Sequence, residues 1–213
     1  MPFAFPKLYP ILDSTIIPPT GRNEFLQKLG ASLTDAGVIL LEYRNKTGSD
    51  SEIRVDAAAL RKSMPAEKVK LILDDRSDLV EQVQFDGVHV DAGDLSSSQA
   101  RRLLGPDRIV GTFGGSKELL PGILDAPADY LAIGPVFETR TKLTGKKPIG
   151  IDGVRHLREQ AGPHVILSAA AGITLATAQS VLDAGATMIA VAEAIFRTAN
   201  PAWEFARWIR ELG

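Results

Sequence analysis

The sequence predicts an α/β protein, a single (β/α)8 TIM barrel over residues 1–213, and three observations lead there. Short apolar runs that do not alternate with polar residues recur along the whole chain, as strands buried on both faces of a parallel sheet do. Amphipathic stretches of helical length separate them. A short passage marks the step from helix into strand at Asp35-Ala36-Gly37-Val38, Phe85-Asp86-Gly87-Val88, Ala128-Asp129-Tyr130 and Asp183-Ala184-Gly185-Ala186. Repetition of one unit favours a closed barrel. An open doubly wound sheet would have fewer strands and a G-x-G-x-x-G turn after the first, which this chain lacks.

In chain order the strands are expected in LYPIL from Leu8, VILLEY from Val38, VKLIL from Val69, GVHV from Gly87, RIVGTF from Arg108, YLAIGPV from Tyr130, HVILSA from His164 and MIAVAEA from Met188. NEFLQKLGASLTDAG, DAAALRKSM, SSSQARRLLG, IDGVRHLREQ and LATAQSVLDAG are expected to be helical, several ending in the glycine that stops a helix. The reading is strand then helix, eight times over. The last segment, NPAWEFARWIRELG, has Asn200 as its cap and Pro201 in its first turn, with Phe205, Trp208, Ile209 and Leu212 on one stripe that packs on the barrel and closes the eighth unit.

Composition bounds the chemistry. A chain 45% hydrophobic and 23% charged is globular, not disordered, and at 213 residues it needs no staple to fold. With no cysteine it has neither thiol nucleophile nor thiolate metal site, which fits a reducing compartment. A formal charge of -2 gives no field for nucleic acid or anionic lipid, and the start of the chain has neither the apolar core of a signal peptide nor the length of a membrane span. A cytoplasmic protein is expected, acting on small molecules, with neither nucleic acid nor membrane as partner. Assembly into a homo-oligomer is left open.

Barrel active sites lie at the C-terminal ends of the strands. On the second strand Glu42, Arg44 and Lys46 alternate and so point to one side, and two cations together suggest a phosphate or diphosphate. Asp74 and Asp75 follow VKLIL, and as neighbours on a strand at most one of them need face the mouth. Asp94, past the next strand, could join one of them as an oxygen ligand of Mg2+. An Asp75–Arg76 surface pair and a helix cap at Asp94 account for the same residues equally well. His89, inside GVHV, reads as a satisfied core group before it reads as a catalyst. The loop PVFETRTKLTGKKPIG carries Arg140, Lys142, Lys146 and Lys147 and suits a lid over a charged ligand. Gly172, just before a helix beginning near Thr174, and the stretch AEAI would form the usual phosphate cup.

Assembled in order, LYPILD, YRNK, LDDR, FDGVHV with Asp94-Leu95, ARRLLGPDRIVG, DYLAIGPVFETRTK, AGIT and DAGA with AVAEAIF resemble thiamine phosphate synthase over almost the entire chain. The resemblance implies a Mg2+-dependent transferase that joins a hydroxymethylpyrimidine diphosphate to a hydroxyethylthiazole phosphate and releases diphosphate. It implies that Arg44, Lys46 and Lys142 hold the diphosphate, that Asp75 and Asp94 bind Mg2+, and that Thr139 and Thr141 contact the thiazole substrate. Several substrate-side positions depart from the family pattern: Glu42 stands where Gln is usual, Asp74 for Asn, Phe113 for Ser, Glu193 for Ser on the eighth strand, and Ala169-Ala170-Ala171-Gly172-Ile173-Thr174 for G-x-G-G-I-T. Three of these add carboxylates where polyanions should bind. The alternative they raise is a barrel homologue that has lost the condensation and binds another phosphorylated molecule or a partner. A related thiazole tautomerase would need a histidine where Gly115 stands.

Overall fold

In a computed structural model that describes residues 3–91, 95–139 and 147–213, eight parallel strands close into a barrel in chain order. They are β1 (Leu8–Asp13), β2 (Leu40–Arg44), β3 (Lys70–Asp74), β4 (Gly87–Val90), β5 (Ile109–Gly115), β6 (Tyr130–Ile133), β7 (Leu167–Ala170) and β8 (Met188–Val191). All eight apolar runs are strands. Closure comes from β1 pairing with β8, Leu8 opposite Ile189.

The alternating pleat divides each strand between two cores. Leu8, Leu41, Leu71, Val88, Val110, Leu131, Leu167 and Ile189 face outward into the layer shared with the helices. Tyr9, Leu40, Ile72, Ile109, Tyr130 and Met188 face inward and fill the lower barrel, with Phe3 and Phe5 packed against them. Gly111 is required here, since a Cβ on it would lie 2.0 Å from Cζ of the Tyr130 ring.

The helices are α1 (Arg22–Asp35), α2 (Asp50–Ser63), α3 (Ser97–Leu104), α4 (Gly150–Ala161), α5 (Leu175–Asp183), the short α6 (Glu193–Phe196) and α7 (Pro201–Leu212). Strict alternation fails twice. Between β3 and β4 the chain makes successive turns over 77–84, with Asp75 and Gln84 at positive φ at their ends, while Leu79, Val80, Val83 and Phe85 still reach the core. Between β5 and β6 there is only a 3-10 turn, Ile123–Asp125, in a segment where Pro121, Gly122 and Pro127 interrupt any longer helix. In α7, Asn200 accepts from the Trp203 amide at 3.0 Å as the N-cap, and Phe205, Trp208 and Leu212 are buried against the barrel. Ile209 does not join that stripe: it is 40% exposed, because its position turns it toward the helix's solvent edge.

One arginine device recurs around the bottom of the barrel. Arg61 of α2 donates to the carbonyls of Met64, Val69 and Gln84 and pairs with Asp86, whose Oδ2 accepts from the Leu71 amide at 2.9 Å. Arg101 of α3 donates to Gly105, Arg108 and Pro127 and pairs with Asp129, whose Oδ2 accepts from the Val110 amide at 2.7 Å. Arg158 of α4 donates to Gly162, Val165 and Gly185 and to Thr187 Oγ1, which accepts from the Leu167 amide at 3.1 Å. Each clasp joins a helix end to the starts of the next two strands. Asp86 and Asp129 of the sequence repeat thus have a structural role, whereas near Asp183 the equivalent oxygen comes from Thr187.

Candidate active site

Strand alternation carries the inward set upward to the C-terminal mouth, where a cavity of about 520 Å³ opens. Glu42, Arg44 and Lys46 all line it, as their spacing predicts. The outward residue between them, Tyr43, donates to Asp56 Oδ2 at 2.6 Å and fixes β2 to α2.

Both Asp74 and Asp75 line the cavity, where alternation allowed one. The reason is local. Asp75 lies just past β3 with φ of +63°, a left-handed conformation that aspartate tolerates and that breaks the pleat. Its amide still reaches the His89 carbonyl at 2.8 Å. Arg76 turns away to pair with Asp50 and Asp78 at 2.6 and 2.7 Å, so the surface pairing with Asp75 does not form.

Lys46 is the hub of the mouth. Its Nζ pairs with Asp75, lies 2.9 Å from Asp74 Oδ2 and 3.8 Å from Asp91 Oδ2. Arg44 pairs with Asp13 at the end of β1, and its Nε lies 3.7 Å from Asp74 Oδ2. Two cations therefore face four carboxylates, and the mouth is acidic rather than cationic among the described residues. Burial is the main cause that lifts Asp74, to about 6, with Asp75 adding to it against the pull of Lys46. Asp74, Asp75 and Asp91 each offer a carboxylate oxygen within 4.8 Å of the others, and Asp75 Oδ1 is buried without a hydrogen bond. An all-oxygen set of this kind fits a hard divalent cation.

A polar chain crosses the floor. Tyr9 donates to Glu42 Oε2 at 2.8 Å, the Tyr9 and Tyr130 hydroxyls are 3.0 Å apart, and Tyr130 lies 3.1 Å from His89 Nδ1. With Tyr9 donating to Glu42, Tyr130 must donate to Tyr9 and the His89 Nδ1–H to Tyr130. The His89 and Tyr130 rings stack at 5.6 Å. His89 is thus both a bonded interior group and part of the cavity wall. Burial and then the charge of Asp74 push the Glu42 carboxyl up to about 8, so it keeps its proton at neutral pH. Phe113 lines the wall above.

A second cavity of about 550 Å³ adjoins the first and shares Ile11, Arg44, Ala170, Ala171 and Ala190 with it. Thr139, Gly172, Thr174, Glu193 and Arg197 line it. Gly172, at φ of +68°, is forced: a Cβ would lie 2.5 Å from the Glu138 carbonyl oxygen, because the chain after β6 is laid on the chain after β7. Glu193 opens α6 and accepts from Arg197 Nε at 3.0 Å. Arg140, Thr141, Lys142 and Lys146 of the expected lid, and Asp94, lie outside the described residues.

Sequence reasoning missed Tyr9, Tyr130, Ser168 and Arg197. Tyr9 could have been found by extending the alternation of Ile11 and Asp13 downward, and Ser168 as the polar residue inside an apolar run. Arg197 is visible as an i,i+4 partner of Glu193.

The family model described as thiamine monophosphate synthase matches residues 8–195. The thiamine-phosphate synthase of Koribacter versatilis is 40% identical over 186 residues, 87% of each chain, and that of Agrobacterium fabrum 38% identical over 178 residues, 82% of this chain and 81% of its own. Among solved structures, a thiamine phosphate pyrophosphorylase from Pyrococcus furiosus superposes with a TM-score of 0.78 over 97% of this chain and 95% of its own, at 23% identity.

Proposed function

The chain belongs to the thiamine monophosphate synthase family, and from that premise we propose how its residues divide the work of the transfer. It is a transferase of thiamine biosynthesis that condenses hydroxymethylpyrimidine diphosphate with hydroxyethylthiazole phosphate to thiamine phosphate and diphosphate. The observation that carries the division is the pair of adjoining cavities with Arg44 on their shared wall.

The first cavity takes the pyrimidine diphosphate: an aromatic floor for the ring and Arg44 and Lys46 at the rim for the diphosphate, joined by Lys142. The second takes the thiazole phosphate, with Thr139 and Thr141 beside the ring, and Gly172 and the start of α5 toward its phosphate. Glu42, Asp74, Phe113 and Glu193 touch substrate at the positions where this chain departs from its family. Asp75 and Asp94 hold Mg2+, with Asp74 and Asp91 close enough to contribute. When bound, Mg2+ neutralises charge developing on the departing diphosphate.

The residues then have separate tasks. The bond from the pyrimidine methylene carbon to the diphosphate oxygen breaks, and the electron pair leaves with the diphosphate, whose charge Arg44, Lys46 and Lys142 accept. The thiazole nitrogen lone pair forms the new C–N bond to the same carbon. Phe113 and the floor tyrosines exclude water from the cationic methylene. No side chain need act as a nucleophile. Residues 1–213 work as one catalytic unit, in the cytoplasm. No helix among the described residues is long and apolar enough to cross a membrane.

The test is direct: purified protein with both substrates and Mg2+ should form thiamine phosphate, and the gene should rescue a thiamine auxotroph lacking its own synthase. No product and no rescue would overturn the reading.

A further inference from the structure

Ser168 lies on β7 between Leu167 and Ala169, both of which face the outer core, so the pleat turns its side chain into the barrel. The residue is 1% exposed and lines the first cavity. Its hydroxyl has no hydrogen-bond partner. The other polar groups of the floor, Glu42, Tyr9, Tyr130 and His89, bond to one another. A buried hydroxyl without a partner is a net cost to folding, and an alanine or valine here would fill the same wall without it.

The surroundings say what would pair with it. Ala132, opposite Ser168 in the β6–β7 register, and Ala170 line the same cavity, so Ser168 is flanked there by methyl groups that offer its hydroxyl no partner. The charged residues Arg44, Lys46 and Asp75 stand at the strand ends, so a ligand with a charged tail and a flat head enters head first. We propose that Ser168 determines ring specificity in this cavity by donating a hydrogen bond to a ring nitrogen of the aromatic diphosphate substrate. The inference rests on the transferase reading above and refines its ring subsite. A hydroxyl donor distinguishes a ring that carries an acceptor at its edge from an all-carbon ring of the same shape, for which the donor would stay unpaired.

Calorimetric titration of the full-length protein with Mg2+ present tests this with two ligands, the pyrimidine diphosphate and its benzyl analogue in which both ring nitrogens are C–H. Ser168→Ala is expected to weaken binding of the pyrimidine diphosphate about tenfold, the worth of one hydrogen bond, and to leave the benzyl analogue unchanged. The KM for the thiazole phosphate should stay as in the wild type, and the melting temperature should not fall. Because both ligands are measured on the same protein, a folding defect would weaken both, and equal losses overturn the inference. Unchanged affinity for the pyrimidine diphosphate also overturns it, since a water would then be satisfying the hydroxyl. A wild type that makes thiamine phosphate while Ser168→Ala discriminates the two ligands no less well sinks this inference alone. A wild type that makes none but loses pyrimidine discrimination on Ser168→Ala sinks the transferase reading and leaves the ring contact standing.

Discussion

Ala171 sits at φ of +77°, where the family pattern has glycine and where a Cβ is strained. Ala171→Gly should therefore stabilise the protein by about 1 kcal/mol, read by urea denaturation, and a loss of stability would show that the turn is relaxed. Glu42 predicts a pH effect. Its native pKa, raised to about 8, lies above the ordinary 4.5, so the native state holds a proton that the unfolded chain has released. The stabilisation is complete below the unfolded value and is lost as pH rises through about 8, by at most about 1.4 kcal/mol per pH unit. In metal-free buffer, Glu42→Gln should flatten the fall in stability between pH 5.5 and 8.5; parallel curves for the two proteins would mean that Glu42 is ionised throughout. At this scale the sequence was legible where alternation governs, as for Glu42, Arg44 and Lys46. It was not legible where one backbone angle overrides alternation, as at Asp75, nor for Tyr9, Tyr130 and His89, whose hydroxyls and ring meet only across the barrel.

Among the elements, all eight strands could be read because burial on both faces leaves continuous apolar runs. The turns over 77–84 and the 3-10 turn at Ile123–Asp125 depart from the repeat because Pro, Gly and left-handed residues cut the helical pattern short. The short α6 bears on substrate affinity. Glu193 stands beside the second cavity, but Arg197 one turn later holds its carboxylate, which moderates the repulsion that its sequence position implies. Glu193→Ser frees Arg197 for a phosphate and should lower the KM for the thiazole phosphate about tenfold, roughly 1.4 kcal/mol, and Arg197→Ala should raise it. Steady-state kinetics with the pyrimidine diphosphate saturating separate the two. If neither variant changes that KM, α6 does not face the substrate.

For the molecule as a whole, the mouth favours a cation: among the described residues, Asp13, Asp74, Asp75 and Asp91 outnumber Arg44 and Lys46. Mn2+ binding by the substrate-free protein, followed by electron paramagnetic resonance, should weaken at least tenfold in Asp75→Ala, as expected for loss of one carboxylate from a small set. Equal affinity would remove Asp75 from the metal site. The three arginine clasps at the opposite end have a different consequence. Each ties a helix to two successive strand starts, β3 with β4, β5 with β6 and β7 with β8. Six of the eight strands are thus grouped into three two-stranded modules, and a break inside a module must disrupt its clasp whereas a break between modules need not. Amide exchange under native conditions should accordingly release protons from these strands in pairs. A chain nicked after β6 should reassemble from its fragments more readily than one nicked after β5, since only the second cut separates Arg101 and the start of β5 from Asp129.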